Sequence, residues 1–116
     1  MTTIYGINNC DTVKKAIKWL NEQNIDYTFH DFRKDGLTAE LVEKFVTKSD
    51  WQTLVNKRST TFRNLEDSVK NSLSEESVAE VLLANPTLIK RPVLDHNDSI
   101  TLGFKADNYQ QVFNND

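Results

Sequence analysis

The sequence has 116 residues, with 14 Lys and Arg against 17 Asp and Glu (net charge −3), 38% hydrophobic residues and a single cysteine, Cys10. The length suits one domain with a real core, and the slight acidity gives no support to broad binding of nucleic acid or of a membrane surface. One cysteine excludes an intramolecular disulfide, an internal dithiol cycle and a multi-cysteine metal site within these residues.

No stretch approaches the roughly 18 consecutive apolar residues that span a bilayer. The start, Met1-Thr2-Thr3-Ile4-Tyr5-Gly6, lacks the basic and apolar regions of a secretory signal. The expectation is a soluble cytoplasmic protein whose thiol stays reduced.

Thr3-Ile4-Tyr5 is β-branched and aromatic, and predicts a strand ending at Gly6. The polar run 7–12 reads as a turn. Val13, Ala16, Ile17 and Leu20 then recur at i, i+3, i+4 and i+7, the pattern of an amphipathic helix starting near Cys10. Asp11 suits its positive end. Ile25, Tyr27 and Phe29 alternate with Asp26, Thr28 and His30 as a half-buried strand, and Asp35-Gly36 is a turn. Thr38 caps a helix with Leu41, Val42, Phe45 and Val46 on its apolar face. Trp51, Leu54 and Val55 predict a short helical turn, and the basic, polar segment 56–63 a loop. Ser74 opens a helix that buries Val78, Val81 and Leu82 and stops at Asn85-Pro86. Ile89–Leu94 leads into a strand. Asn97-Asp98 turns the chain into its antiparallel partner, Ile100–Phe104, and 106–113 closes as a helix. A strand–helix–strand start favours a parallel, right-handed unit, and the terminal hairpin adds antiparallel strands. The expected fold class is α/β: a thioredoxin-like mixed β-sheet flanked by helices.

Strand, polar loop, Cys10, helix places the thiol at a helix N-terminus. The unpaired N–H groups and the helix dipole there favour thiolate, which is the nucleophile. Lys14, one turn along, adds to this effect and Asp11 opposes it. The competing reading, a small buried hydrophobe, fits poorly with the polar neighbours Asn8, Asn9, Asp11 and Thr12. Arg58, Arg63 and Arg91 are candidates for an anion, since a guanidinium suits oxyanions and carboxylates. Taken singly, each is better read as a solvated surface charge, the usual place of arginine. Pro92 stands before a strand; an ordinary trans bond is the commoner case, and a cis bond would shape a docking edge. His30 reads as a half-exposed sheet residue, and neither it nor His96 has ligand spacing to Cys10. Trp19 and Trp51 read as packing residues. No Ser/His/Asp set, P-loop or dinucleotide fingerprint is present, and no metal site is expected.

Four stretches, residues 4–16, 27–33, 56–63 and 89–94 with 102–104, together resemble the ArsC/Spx family, and most closely its short YffB-like branch. The resemblance covers nearly the whole chain in order. It implies one ArsC-like thioredoxin-fold domain over 1–116, with a helical insertion at about 34–85 between the two halves of the sheet. It implies that Cys10 is the redox thiol, that Arg91 faces it and that Pro92 is the family's cis proline. The candidate substrate- and thiol-binding set is Arg58, Arg91, Pro92, Asn9, Thr12 and Lys14.

The departures bear on substrate. Arsenate reductases of this family carry an arginine two residues before the position of Arg58, where this chain has Asn56. A second arsenate-site arginine aligns with Phe104, and a histidine four residues before the cysteine is replaced by Gly6. Spx regulators, which bind RNA polymerase, carry a second cysteine where this chain has Val13. The expectation is therefore a glutathione-dependent thiol reductase with no bound cofactor. Glutathione or another small thiol is the co-substrate, and the substrate is an oxidised thiol or an oxyanion. The alternatives are an arsenate reductase, or an Spx-like non-catalytic interaction module with RNA polymerase as partner.

Overall fold

A computed structural model describes residues 1–114. The chain divides into two compact units. One comprises residues 1–36 and the segment from Arg91 onward; the other is Leu37–Lys90.

The first unit is built on a four-stranded mixed sheet, order β2-β1-β3-β4. β1 (Thr2–Gly6) alternates buried and half-buried residues, so that Ile4 enters the core. The loop after it leads to α1 (Asp11–Glu22), whose Val13, Ala16 and Leu20 are buried, as the 3.6-residue period requires. β2 (Thr28–Asp31) runs parallel to β1, with Thr3 opposite Thr28 and Gly6 opposite Asp31. This strand starts later than the alternation from Ile25 suggests. The chain leaves α1 through Asn24 in the left-handed region (φ 57°), and the Ile25 N–H still bonds the Leu20 carbonyl (3.0 Å). Ile25 and Tyr27 nonetheless pack on the core of Ile4, Ala16, Leu20, Leu94 and Tyr109.

β3 (Val93–His96) pairs antiparallel with both β1 and β4 (Ser99–Leu102). Asn97 and Asp98 both have positive φ (53° and 69°), which is what a two-residue hairpin turn twisting with its strands demands. The Thr2 hydroxyl and His96 Nδ1 lie 2.7 Å apart across the β1–β3 pair. The last helix of this unit runs from Ala106 to Asn114 and buries Tyr109, against which Trp19 packs edge-on. The Tyr109 hydroxyl donates to the Gly103 carbonyl (3.1 Å), and burial pushes that hydroxyl's pKa up, so it stays a donor.

The second unit is helical: α2 (Ala39–Lys48), α3 (Trp51–Leu54), α4 (Thr60–Arg63), α5 (Asp67–Ser72), α6 (Glu75–Ala84) and a 3-10 turn at Pro86–Leu88. The helix from Ala106 is accordingly α7. Side-chain caps start most of these helices. Thr38 Oγ1 accepts from Leu41 N–H (3.2 Å), and Ser74 and Ser77 form a reciprocal capping box. α2 and α6 pack on each other. The segment 56–63, expected as loop, contains α4, a single turn nucleated when the Ser59 hydroxyl accepts the Phe62 N–H (3.1 Å). No helix among the described residues is long and apolar enough to cross a membrane.

Candidate active site

Strand register brings the ends of all four strands that matter to one side of the sheet. Tyr5 faces Val93, and Val93 faces Leu102. The loop after Gly6, the entrance to β3 at Arg91-Pro92 and the exit of β4 therefore leave the sheet at the same end, together with the C-terminal end of β2. Sites in sheets with parallel strands form at such carboxyl ends.

Cys10 stands at the N-cap of α1 with extended backbone (φ −105°, ψ 122°). Its N–H bonds the Ile7 carbonyl (3.3 Å), and its own carbonyl accepts the Lys14 N–H (3.0 Å), the first bond of the helix. The amides of Asp11, Thr12 and Val13 precede that bond and project from the helix end. Serine or aspartate at such a position would cap them. The Cys10 side chain makes no capping bond, and it is partly exposed. A partly exposed sulfur therefore lies beside uncapped amides.

The loop that carries the thiol is held by two devices. The first is Gly6. A Cβ there would lie 2.7 Å from Val13 Cγ2, and Val13 is 1% exposed, so neither side could give way. Glycine lets α1 approach the strand end, and any side chain at this position would need α1 to shift. The second is Asp31, which is 7% exposed at the end of β2. Its Oδ2 accepts the Asn8 N–H (3.2 Å), and its Oδ1 accepts those of Arg33 (2.8 Å) and Lys34 (3.3 Å). Nearby, the Phe32 N–H bonds the Gly6 carbonyl (2.9 Å). Burial alone would raise the Asp31 pKa. The three backbone donors and the Arg33 charge outweigh it and hold the carboxyl below its ordinary value of 3.8. Asp31 thus pins the thiol loop to β2 as a carboxylate.

The other expected site residues divide between the two units. Asn9 is exposed in the turn before Cys10; Thr12 and Lys14 are exposed on the first turns of α1. Arg91 is half-buried and Pro92 buried at the entrance to β3, where the Pro92 carbonyl accepts the Gly103 N–H (2.9 Å). The Arg91–Pro92 bond is cis, as the resemblance implies and contrary to the commoner trans case. Arg58 is exposed in the helical unit, in the turn before α4. His30 is half-exposed, and its Nε2 lies 2.7 Å from the Gly36 carbonyl. A carbonyl only accepts, so that nitrogen carries a proton. The residue missing from the sequence reading is Asp31, which holds the thiol loop. Its available signal is an acid set between Phe29 and Phe32 at the end of a half-buried strand.

Sequence and structure comparisons match this arrangement to known proteins. The ArsC family model matches residues 5–112. This chain belongs to the ArsC family. It is 50% identical over 113 residues to an uncharacterized protein of Haemophilus influenzae, covering 97% of this chain and 99% of that one. The solved structure of the YffB protein superposes with a TM-score of 0.91 at 40% identity, over 96% of this chain and 97% of that one. The global transcriptional regulator Spx of Staphylococcus aureus is 26% identical over 109 residues, 92% of this chain and 82% of that protein. The fold of this ArsC-family member is thioredoxin-like.

Proposed function

We propose that the protein is a monothiol oxidoreductase that reduces mixed disulfides at the expense of glutathione. The observation that supports this most directly is the placement of the chain's one thiol, partly exposed and uncapped at the start of α1. The Cys10 thiolate attacks the glutathione-side sulfur of a mixed disulfide. A Cys10–glutathione disulfide forms and the substrate thiolate leaves, taking a proton from solvent. With no second cysteine in the chain, a second glutathione thiolate attacks that disulfide. It regenerates the Cys10 thiolate and releases oxidised glutathione. Each cycle consumes two glutathione sulfurs as one disulfide and yields one reduced substrate thiol.

In this reading Arg91, with Lys14 at the helix end, receives a carboxylate of glutathione. Asn9 and Thr12 line the approach to the sulfur. Asp31 acts as a positioning residue through the Asn8 amide. A coupled glutathione assay with a glutathionylated peptide tests the proposal: turnover is expected for the wild type and none for Cys10→Ser. Equal turnover in the two proteins overturns it.

The similarity to Spx supports a second reading, an interaction module that binds a transcription partner without using the thiol. Under that reading capture of RNA polymerase is unchanged by Cys10→Ser. Capture that is absent, or that needs the thiol, rejects it.

A further inference from the structure

The helical unit contains an open cleft with a volume of about 450 Å³, and three cations line it. Its frame is an antiparallel bridge between Val55 and Ile89. The Asn56 N–H donates to the Leu88 carbonyl (2.8 Å) and the Lys90 N–H to the Leu54 carbonyl (2.8 Å). This bridge lays Lys90 beside the turn that carries Lys57 and Arg58. The turn is itself fixed: Asn56 Oδ1 accepts the Arg58 N–H (3.2 Å), and the Asn56 carbonyl accepts the Ser59 hydroxyl (2.7 Å).

Gln52, Thr53 and Asn56 add neutral polar groups to the lining, and no carboxylate contributes to it. The nearest acid in sequence, Asp50, is engaged by the Gln52 N–H (3.2 Å) and the Thr53 hydroxyl (2.9 Å). Among the described residues, Lys57, Arg58 and Lys90 have no ion-pair partner. The concentration is not a general surplus of positive charge, because residues 37–90 contain seven Lys and Arg against eight Asp and Glu. Cations gathered in a concave surface repel one another and focus a positive potential into it, and a bound anion relieves the repulsion.

We infer that this cleft binds a small molecule bearing phosphate groups, with at least two anionic charges. A tetrahedral phosphate offers acceptors in several directions. It can take the Arg58 fork and the two lysine point charges at once, with the Thr53 hydroxyl at its edge. The volume exceeds that of a lone phosphate and lies in the range of small-ligand sites. The inference goes beyond the glutathione reading: it shares Arg58 with the candidate substrate-binding set, but it uses neither Cys10 nor a thiol.

The test is a titration of the full chain with pyrophosphate, followed by amide NMR, with citrate as the carboxylate arm. Saturable shifts are expected at Thr53, Asn56, Lys57, Arg58 and Lys90. Citrate should bind at least tenfold more weakly. The double variant Lys57→Gln/Lys90→Gln should weaken pyrophosphate binding at least tenfold while its thermal midpoint stays in place. If that variant does not fold, Arg58→Gln alone is expected to cause a several-fold loss. Shifts that do not saturate, or that spread over lysines elsewhere, overturn the inference. So does unchanged affinity in the folded variant, or citrate binding as tightly as pyrophosphate.

Discussion

In the sheet unit the buried polar groups are committed to protein partners, whereas in the helical unit the cations of one cleft are committed to none. Asp31 gives both carboxylate oxygens to backbone amides of the thiol loop and the following turn. The Tyr109 hydroxyl serves Gly103, and Thr2 meets His96. Lys57, Arg58 and Lys90 face open space. A polar group with buried partners sets geometry, and its loss costs stability. One that faces a cleft without partners contributes little to folding and is available to a ligand. The thiol combines the two cases: its loop is firmly held, and its own side chain is partly exposed and caps nothing.

Core truncation in the sheet unit should have the largest effect. Tyr109 is wholly buried, and Tyr109→Ala is expected to cost about 3–5 kcal/mol in urea denaturation. Tyr109→Phe removes only the bond to Gly103 and should cost about 1 kcal/mol. Nearly equal losses for the two would show that the ring is not a core element.

Asp31→Ala comes next, at about 1–3 kcal/mol, since it leaves the Asn8 amide of the thiol loop and the Arg33 and Lys34 amides of the following turn without their acceptor. The same substitution should slow alkylation of Cys10 by iodoacetamide or broaden its rate distribution. A purely structural role elsewhere would leave the alkylation rate unmoved. The pH dependence has a definite sign. The fold lowers the Asp31 pKa, so its contribution is full above the ordinary value of 3.8 and is lost as pH falls through the lower folded value. The stability gap between wild type and Asp31→Asn should therefore narrow toward acid, as read from urea midpoints between neutral pH and about pH 3. Parallel profiles would contradict the carboxylate clamp.

In the helical unit Ser74→Ala removes one half of a capping box and should cost about 1 kcal/mol. Smallest of all, Lys57→Gln/Lys90→Gln should change stability by no more than about 0.5 kcal/mol. A larger loss would mean that these lysines serve the fold, and the contrast between the two units would fail.

Much of the sheet unit is legible in the residues. Ile4 and Leu20 follow their periods, and Asn97-Asp98 announces its turn. Cys10 stands at the helix start because a polar loop precedes an amphipathic run. The start of β2 was displaced because Asn24 takes a left-handed exit from α1 that no alternation encodes. α4 and α5 escaped the periodicity argument for a different reason. A four-residue turn has no room for an i, i+4 stripe, and it exists through the Ser59 hydroxyl. α5 offers only Val69 as an apolar side chain. The cis bond before Pro92 follows from family resemblance and not from local composition. Asp31 was missed because the one partner that ties it to the thiol loop, Asn8, lies 23 residues away in sequence, while its other donors, Arg33 and Lys34, are those of an ordinary local turn. The cleft depends on a bridge between Val55 and Ile89, which strand and helix patterns do not reveal.

The central claim is that Cys10 forms and releases a mixed disulfide with glutathione. Intact-mass spectrometry of the protein exposed to oxidised glutathione, then to excess reduced glutathione, tests it most directly. The account predicts one glutathione added at Cys10, its complete removal in the second step, and no addition to Cys10→Ser. A thiol that stays unmodified under oxidised glutathione, or an adduct that reduced glutathione does not release, would contradict it.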